Sequence, residues 1–230
     1  GVASGLCVGC FTGQVGAHLL WRPVMSEVLL IQFARAPVPG QVKTRMLPVL
    51  SAEAACQLHR ELVLWTSQLL VSARLGPVEL AVAGSTADPL FRQCLQQGVV
   101  AVDTQRGDNL GERMHNALQA GLQRFPKVLL VGSDCPQLGT DYLADAVAAL
   151  DSAEVVVGPA VDGGYVLIGV SALDQRWFEG IAWGSAGVYA QTLARFATSQ
   201  ARWHALQPVL QDVDRPEDLP AWEQRDLELR

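Results

Sequence analysis

Val128-Leu129-Leu130-Val131 runs straight into Gly132-Ser133-Asp134-Cys135-Pro136, and this stretch constrains the fold more than any other. A short, continuous Val/Leu run without alternation reads as a strand covered on both faces, the habit of parallel sheets packed between helices. Pro136 has no N–H to give to a ladder, so the strand ends before it and Asp134 sits at its carboxyl end. Ligands of open α/β sheets bind at that end, where a carboxylate suits Mg²⁺ or Mn²⁺ held against phosphates. An Asp that satisfies loop amides ahead of a helix is the plainer alternative.

Strand and helix patterns alternate from Val28 onward, which predicts βαβ units in a mostly parallel sheet. Strands are expected at 28–33, 78–83, 99–102 and 128–131. Ser51 suits an N-cap for a helix whose Leu58, Leu62, Trp65 and Leu69 share one face. Asp88-Pro89 opens a short helix, Asn109 and Glu112 have capping-box spacing, and Thr140 is expected to cap a fourth helix. After Glu154 two apolar runs, 155–157 and 165–168, flank Gly158-Pro159-Ala160-Val161-Asp162-Gly163-Gly164, an antiparallel interruption with turn chemistry. A helix at 186–197, a last strand at 209–213 and a short terminal helix complete the pattern. The fold class expected is a three-layer α/β/α sandwich, with residues 1–25 a poorly structured extension and 26–230 one domain. Met25 is a candidate native start.

Half of the 230 residues are hydrophobic and 17% are charged, which fits a compact domain and excludes a disordered or coiled-coil chain. The net charge of −6 repels phosphate backbones, so nucleic acid is not an expected partner. No apolar run reaches the roughly 20 residues that span a bilayer, so no membrane association is expected. The five cysteines are odd in number and mostly lie in core-like segments, which suggests reduced thiols and a cytoplasmic location. Cys7-x-x-Cys10 lacks a second ligand pair, and Cys135 reads as a small buried residue rather than a nucleophile.

The acidic chain places a cluster of cations directly after its first strand, in Arg35-Ala36-Pro37-Val38-Pro39-Gly40-Gln41-Val42-Lys43-Thr44-Arg45. Gly40 allows close approach of a ligand, and Lys43 with Arg35 or Arg45 supplies charge for a phosphate chain. A solvated basic loop is the alternative. It is not a Walker A loop, because Val42 stands where glycine must precede the lysine. Asp212 and Asp214 lie on one side of an extended Gln211-Asp212-Val213-Asp214, although Asp214 also suits an N-cap with Glu217 and Pro216 behind it. Asp162-Gly163 is a hairpin signal as much as a site, and Trp183-Gly184-Ser185 offers an aromatic beside a flexible pair.

In this order, Phe33 to Arg45, Gly132-Ser133-Asp134-Cys135-Pro136, Gly158 to Tyr165 and Asp212-Val213-Asp214-Arg215-Pro216-Glu217-Asp218-Leu219 resemble one known group. The chain is similar to the small bacterial transferases of the nucleotide-diphospho-sugar transferase (GT-A) superfamily, the selenodomain-associated and arsenosugar-biosynthesis-type glycosyltransferases. The resemblance runs from about Ser26 to the C-terminus.

It implies a metal-dependent glycosyltransferase with a nucleotide-diphospho-sugar donor and a small-molecule acceptor. Mg²⁺ or Mn²⁺ would sit on Asp134 and Asp214, with Asp212 as substitute for Asp214. Nucleotide and phosphate would contact Arg35, Gly40, Lys43, Arg45, Asn109 and Gly111. Acceptor or sugar would face Asp162, Gly163, Gly164, Tyr165 and Trp183. Asp134, Asp162 and Lys43 are the catalytic candidates, Asp162 as general base. The single acid of Ser133-Asp134 departs from the Asp-x-Asp of many such glycosyltransferases and is closer to nucleotidyltransferases, which release pyrophosphate from an NTP. A non-catalytic nucleotide-binding module is the third reading.

Overall fold

A computed structural model describes residues 26–225. The expected extension, the candidate start at Met25 and Cys7-x-x-Cys10 lie outside them. Seven strands form one sheet, β1 (Val28–Arg35), β2 (Val78–Ala83), β3 (Ala101–Thr104), β4 (Lys127–Val131), β5 (Val155–Pro159), β6 (Tyr165–Val170) and β7 (Trp203–Ala205), in the order β3-β2-β1-β4-β6-β5-β7. The β1–β2, β2–β3, β1–β4 and β5–β7 pairs are parallel. β6 runs antiparallel between β4 and β5, which is the expected interruption.

The helices are α1 (Ala52–Ser72), α2 (Pro89–Gln96), α3 (Leu110–Leu122), α4 (Thr140–Ala149), α5 (Val188–Ser199) and α6 (Leu219–Gln224). Strand side chains alternate between two cores. On one face Leu30, Leu80 and Leu129 pack with Val63 and Leu70 of α1, Leu90 of α2 and Leu143 of α4. On the other, Leu29, Ile31 and Leu130 pack with Met114 and Leu118 of α3 and Phe196 of α5. The sandwich therefore has three layers. Gly121 lets α3 lie close on β4, since a Cβ there would meet Val128 Cγ2 at 2.7 Å.

A third cluster positions the site. Met46, in the 3₁₀ turn Thr44–Met46, is fully buried with Leu58 and Leu62 of α1 and with Val213 and Trp222. Burying such side chains contributes about 1.5–3 kcal/mol each. One apolar patch thus clamps the cationic loop and the C-terminal acidic segment to the same helix.

Some boundaries differ from the sequence reading. Residues 209–213 form no strand: Leu210 makes a single parallel bridge to Ala160, after Pro208, which has no N–H to donate, and Val213 turns inward to bond Asp134 O at 2.8 Å. The edge strand is β7 instead, where polar His204, with Arg202 just ahead of the strand, hides the pattern. β3 starts at Ala101 because Val99 is tied to the end of α2 through Cys94 O. Gly139, not Thr140, is the N-cap of α4. Asp214 caps nothing: Asp218 Oδ2 accepts from the Asp214 and Arg215 amides at 3.0 and 2.8 Å. Ser51, Asp88 and Asn109 do cap α1, α2 and α3.

Candidate functional site

From β1 the chain builds outward to β2 and β3, then returns to place β4 on the other flank of β1. The connections leaving β1 and β4 therefore diverge, and such a switch point opens a crevice at the strands' carboxyl ends. A cleft of about 640 Å³ lies there, lined by Arg35, Lys43, Thr44, Arg45, His59, Gln105, Asp108, Asn109, Arg113, Ser133, Asp134 and Asp214 among others. Asp134, Asp214 and Lys43, far apart in sequence, share it.

The floor of the cleft is fixed by a buried polar network. Gln32, wholly buried in β1, donates to Val63 O at 3.0 Å and to Ser133 Oγ at 2.9 Å, and accepts from Ser67 Oγ at 2.7 Å. Ser133 Oγ donates in turn to Phe33 O at 2.7 Å. Polar groups out of water must be paired, and pairing these leaves the Ser133-Asp134 backbone one position.

In the loop, Gln41 N bonds Val38 O at 3.0 Å around Pro39-Gly40, and Gly40 has φ +77°, the arrangement of a type II turn. Lys43 has φ 51°, a left-handed conformation that costs a non-glycine residue on the order of 1 kcal/mol. It is held there by Met46 below and by its own ammonium, which lies 2.7 Å from Asp134 Oδ1 and donates to Val213 O at 2.5 Å. Arg45 Nη1 pairs with Asp214 Oδ2 at 2.6 Å.

The charges shift one another. Burial opposes ionisation of Asp134, but Lys43 outweighs it and holds the carboxyl below the usual range. Asp212 is pushed up to about 7 by burial, then by the charges of Asp134 and Asp162. His59 is pushed below the ordinary histidine value by burial, so its imidazole is neutral at pH 7. Its Nε2 lies 3.0 Å from Arg35 O, which only accepts, so Nε2 carries the proton. Burial, and next Asp212, raise the Cys135 thiol, which makes it a poor nucleophile.

A second hollow of about 500 Å³ shares Arg45, Leu110 and Asp214 with the cleft and is lined also by Asp162, Gly164, Tyr165, Trp183, Asp212 and Asp218. Gly163 is not in its lining. Its φ is +89°, a Cβ would meet Ala186 O at 2.0 Å, and its carbonyl accepts from Tyr189 N at 2.8 Å, so it serves the packing of the turn against the segment before α5. Gly111 likewise lies outside the cleft lining: a Cβ there would meet Trp183 Cζ2 at 2.7 Å, so this glycine makes room for the indole. Gly40 shapes its turn without lining the cleft.

Of the phosphate- and nucleotide-binding candidates, Arg35, Lys43, Arg45 and Asn109 line the cleft. Arg113, in the segment 108–113 whose resemblance points to the nucleoside, lines it too, while His59 and Gln105 carry no such expectation. His59 carries the one signal available, a polar residue on the apolar side of α1, while Gln105 follows the edge strand with nothing local to mark it.

Carboxylate oxygens are hard donors, and Asp134 Oδ1 is buried without an aligned hydrogen bond, its contact with Lys43 being one of charge. Among the described residues no group of three or more His, Cys, Asp or Glu is set to hold a metal. Asp134 and Asp214 could therefore supply no more than one or two carboxylates, and an ion held by them would draw its other ligands from substrate phosphates and water. No helix among the described residues is long and apolar enough to cross a membrane.

The model of a family described as "uncharacterized protein conserved in bacteria (DUF2064)" matches residues 66–185. A solved structure from Desulfovibrio desulfuricans G20, described provisionally as a nucleotide-diphospho-sugar transferase, is 32% identical with a TM-score of 0.74, covering 83% of this chain and 84% of its own. A cytidylyltransferase from Leptospira borgpetersenii is 12% identical with a TM-score of 0.55, over 84% of this chain and 83% of its own. A nucleotidyl transferase from Methanothermobacter thermautotrophicus is 12% identical with a TM-score of 0.58, over 89% and 99%. The last two share the fold. No curated protein matches significantly in sequence.

Proposed function

The chain belongs to the DUF2064 family, and on that premise we propose that it is a metal-dependent glycosyltransferase using a nucleotide-diphospho-sugar and a small-molecule acceptor. The observation that carries the reading is the single cleft in which Lys43, Asp134 and Asp214 meet at the carboxyl ends of β1 and β4. The 32% identical relative, described provisionally as a nucleotide-diphospho-sugar transferase, supports it.

Asp134 with Asp214, or with Asp212 in its place, would hold Mg²⁺ or Mn²⁺. Bound there, such an ion neutralises charge on a departing diphosphate. Lys43, Arg35 and Arg45 would take up the same charge as donors held at the cleft. Asn109, Gln105 and neutral His59 offer hydrogen bonds to the nucleoside end of the cleft. Asp162, in the adjoining hollow, accepts the acceptor's hydroxyl proton, while Tyr165 and Trp183 orient the acceptor.

The runner-up, nucleotidyl transfer from an NTP, is favoured by the lone acid at the end of β4 and by the fold shared with cytidylyltransferases. A thermal-shift screen of NDP-sugars and NTPs with and without Mn²⁺ tests both, since a ligand binding only the native form raises Tm. Free NDP as product supports glycosyl transfer and pyrophosphate the alternative. The absence of any nucleotide-dependent shift would overturn both, and an Asp134→Asn chain with its metal-dependent activity intact would leave only the binding module.

A further inference from the structure

Electrostatic contrast between the two hollows points to the acceptor. In the cleft, Arg35, Lys43 and Arg113 outnumber the acids not already tied to an arginine, Asp108 and Asp134. The adjoining hollow reverses this. Asp162 and Asp218 face it with Arg215, while Arg45 is engaged by Asp214 at 2.6 Å. Asp162 Oδ1 accepts from the Gly164 amide at 2.9 Å and pairs with no cation among the described residues. An anionic group entering here meets the Asp162 carboxylate, which no lysine or arginine offsets, and like-charge juxtaposition repels the wrong ligand.

Two further observations describe what fits. Trp183 stands as an aromatic wall, for which Gly111 surrenders its side chain, with Met114 and Val188 beside it. Tyr165 belongs to the same lining, with its hydroxyl buried beside Thr192. An indole wall accepts an apolar or C–H face, and carboxylates accept hydrogen bonds from O–H or N–H groups.

Resting on the glycosyl-transfer reading, we infer that the acceptor is a neutral or cationic hydroxyl compound with an apolar face, and not a phosphorylated or carboxylated one. In the step, the acceptor O–H bond breaks and its proton goes to Asp162. The acceptor oxygen forms the new bond to the anomeric carbon, and the bond from that carbon to the diphosphate breaks with its electron pair leaving on the NDP.

The field of the hollow is measurable without knowing the acceptor, by fluorescence quenching with caesium, iodide and acrylamide at constant ionic strength. The Trp183 component is the difference between the native chain and Trp183→Phe, normalised to free N-acetyltryptophanamide. Clefts focus potentials of several kT, so the normalised caesium constant is expected to exceed that of iodide by at least about threefold, with acrylamide between. Asp162→Lys is expected to narrow that gap. Iodide quenching equal to or above that of caesium overturns the inference while leaving a nucleotide-dependent thermal shift in place. Loss of that shift instead removes the transfer reading beneath it, whatever the quenchers report.

Discussion

Lys43 Nζ lies 2.7 Å from Asp134 Oδ1, and the same ammonium donates to the carbonyl of Val213. A side chain from the loop after β1 thereby joins the acid at the end of β4 to the backbone between Asp212 and Asp214. The left-handed backbone of Lys43 and the burial of Met46 are the local means. A cation, three acids and a turn from distant parts of the chain become one rim.

Lys43→Met keeps the length of the side chain and removes its charge. A hydrogen bond to a charged group contributes about 1.5–3 kcal/mol, so nucleotide Kd is expected to weaken about ten- to a hundredfold. Titration calorimetry with the nucleotide that gives the largest thermal shift measures it. A change below about twofold would show that the loop does not hold phosphate.

Gln32→Leu tests the floor beneath Asp134. The substitution leaves Ser67 Oγ without its acceptor and Ser133 Oγ without its donor in a fully buried site. Each buried group so orphaned costs about 1–3 kcal/mol, less what the added apolar contact returns, so a loss of about 2 kcal/mol is expected in urea unfolding. A stability equal to the native chain would mean that the network does not constrain the site.

The alternation of buried runs made the layered fold legible, because a parallel strand covered on both faces leaves an unbroken apolar signature, as Val128 to Val131 does. The cationic loop and Asp134 were legible for the same reason, since each follows such a strand. What local sequence could not reveal were contacts made across the chain. Gly111 and Gly163 read as ligand-facing glycines, yet each makes room for a neighbour, Trp183 and Ala186, that only the packed structure brings near. Gln105 enters the cleft through the order of the sheet, and β7 follows from pairing with β5 rather than from its own pattern.

Gly111→Ala separates the two hollows. Alanine suits a helix better than glycine by up to about 1 kcal/mol, so the fold is expected to survive. Its Cβ, however, falls 2.7 Å from Trp183 Cζ2 and 2.9 Å from Phe178 O, so the indole must move. Steady-state kinetics should show acceptor KM raised severalfold, with nucleotide Kd changed by less than about twofold. An unchanged acceptor KM would dissociate Trp183 from acceptor binding.

The ion pair that ties α2 to α1 sets a pH dependence away from the site. Arg60 grips both oxygens of Asp88 at 2.7 and 2.8 Å, and Asp88 Oδ1 also caps the Leu90 amide. The Arg60 hydrogen bonds, opposed by partial burial, hold the Asp88 carboxyl below its ordinary value. A folded-state pKa below the unfolded one means stability that is present above the unfolded value of about 3.9 and lost as pH falls through the lower, folded value. Asp88→Asn keeps a capping oxygen and removes the charge. Because both partners are partly solvated, it is expected to destabilise by about 1 kcal/mol at pH 7, a difference from the native chain that shrinks below pH of about 4. Urea unfolding of both chains at several pH values measures it, and a difference that grows on acidification would reverse the assignment.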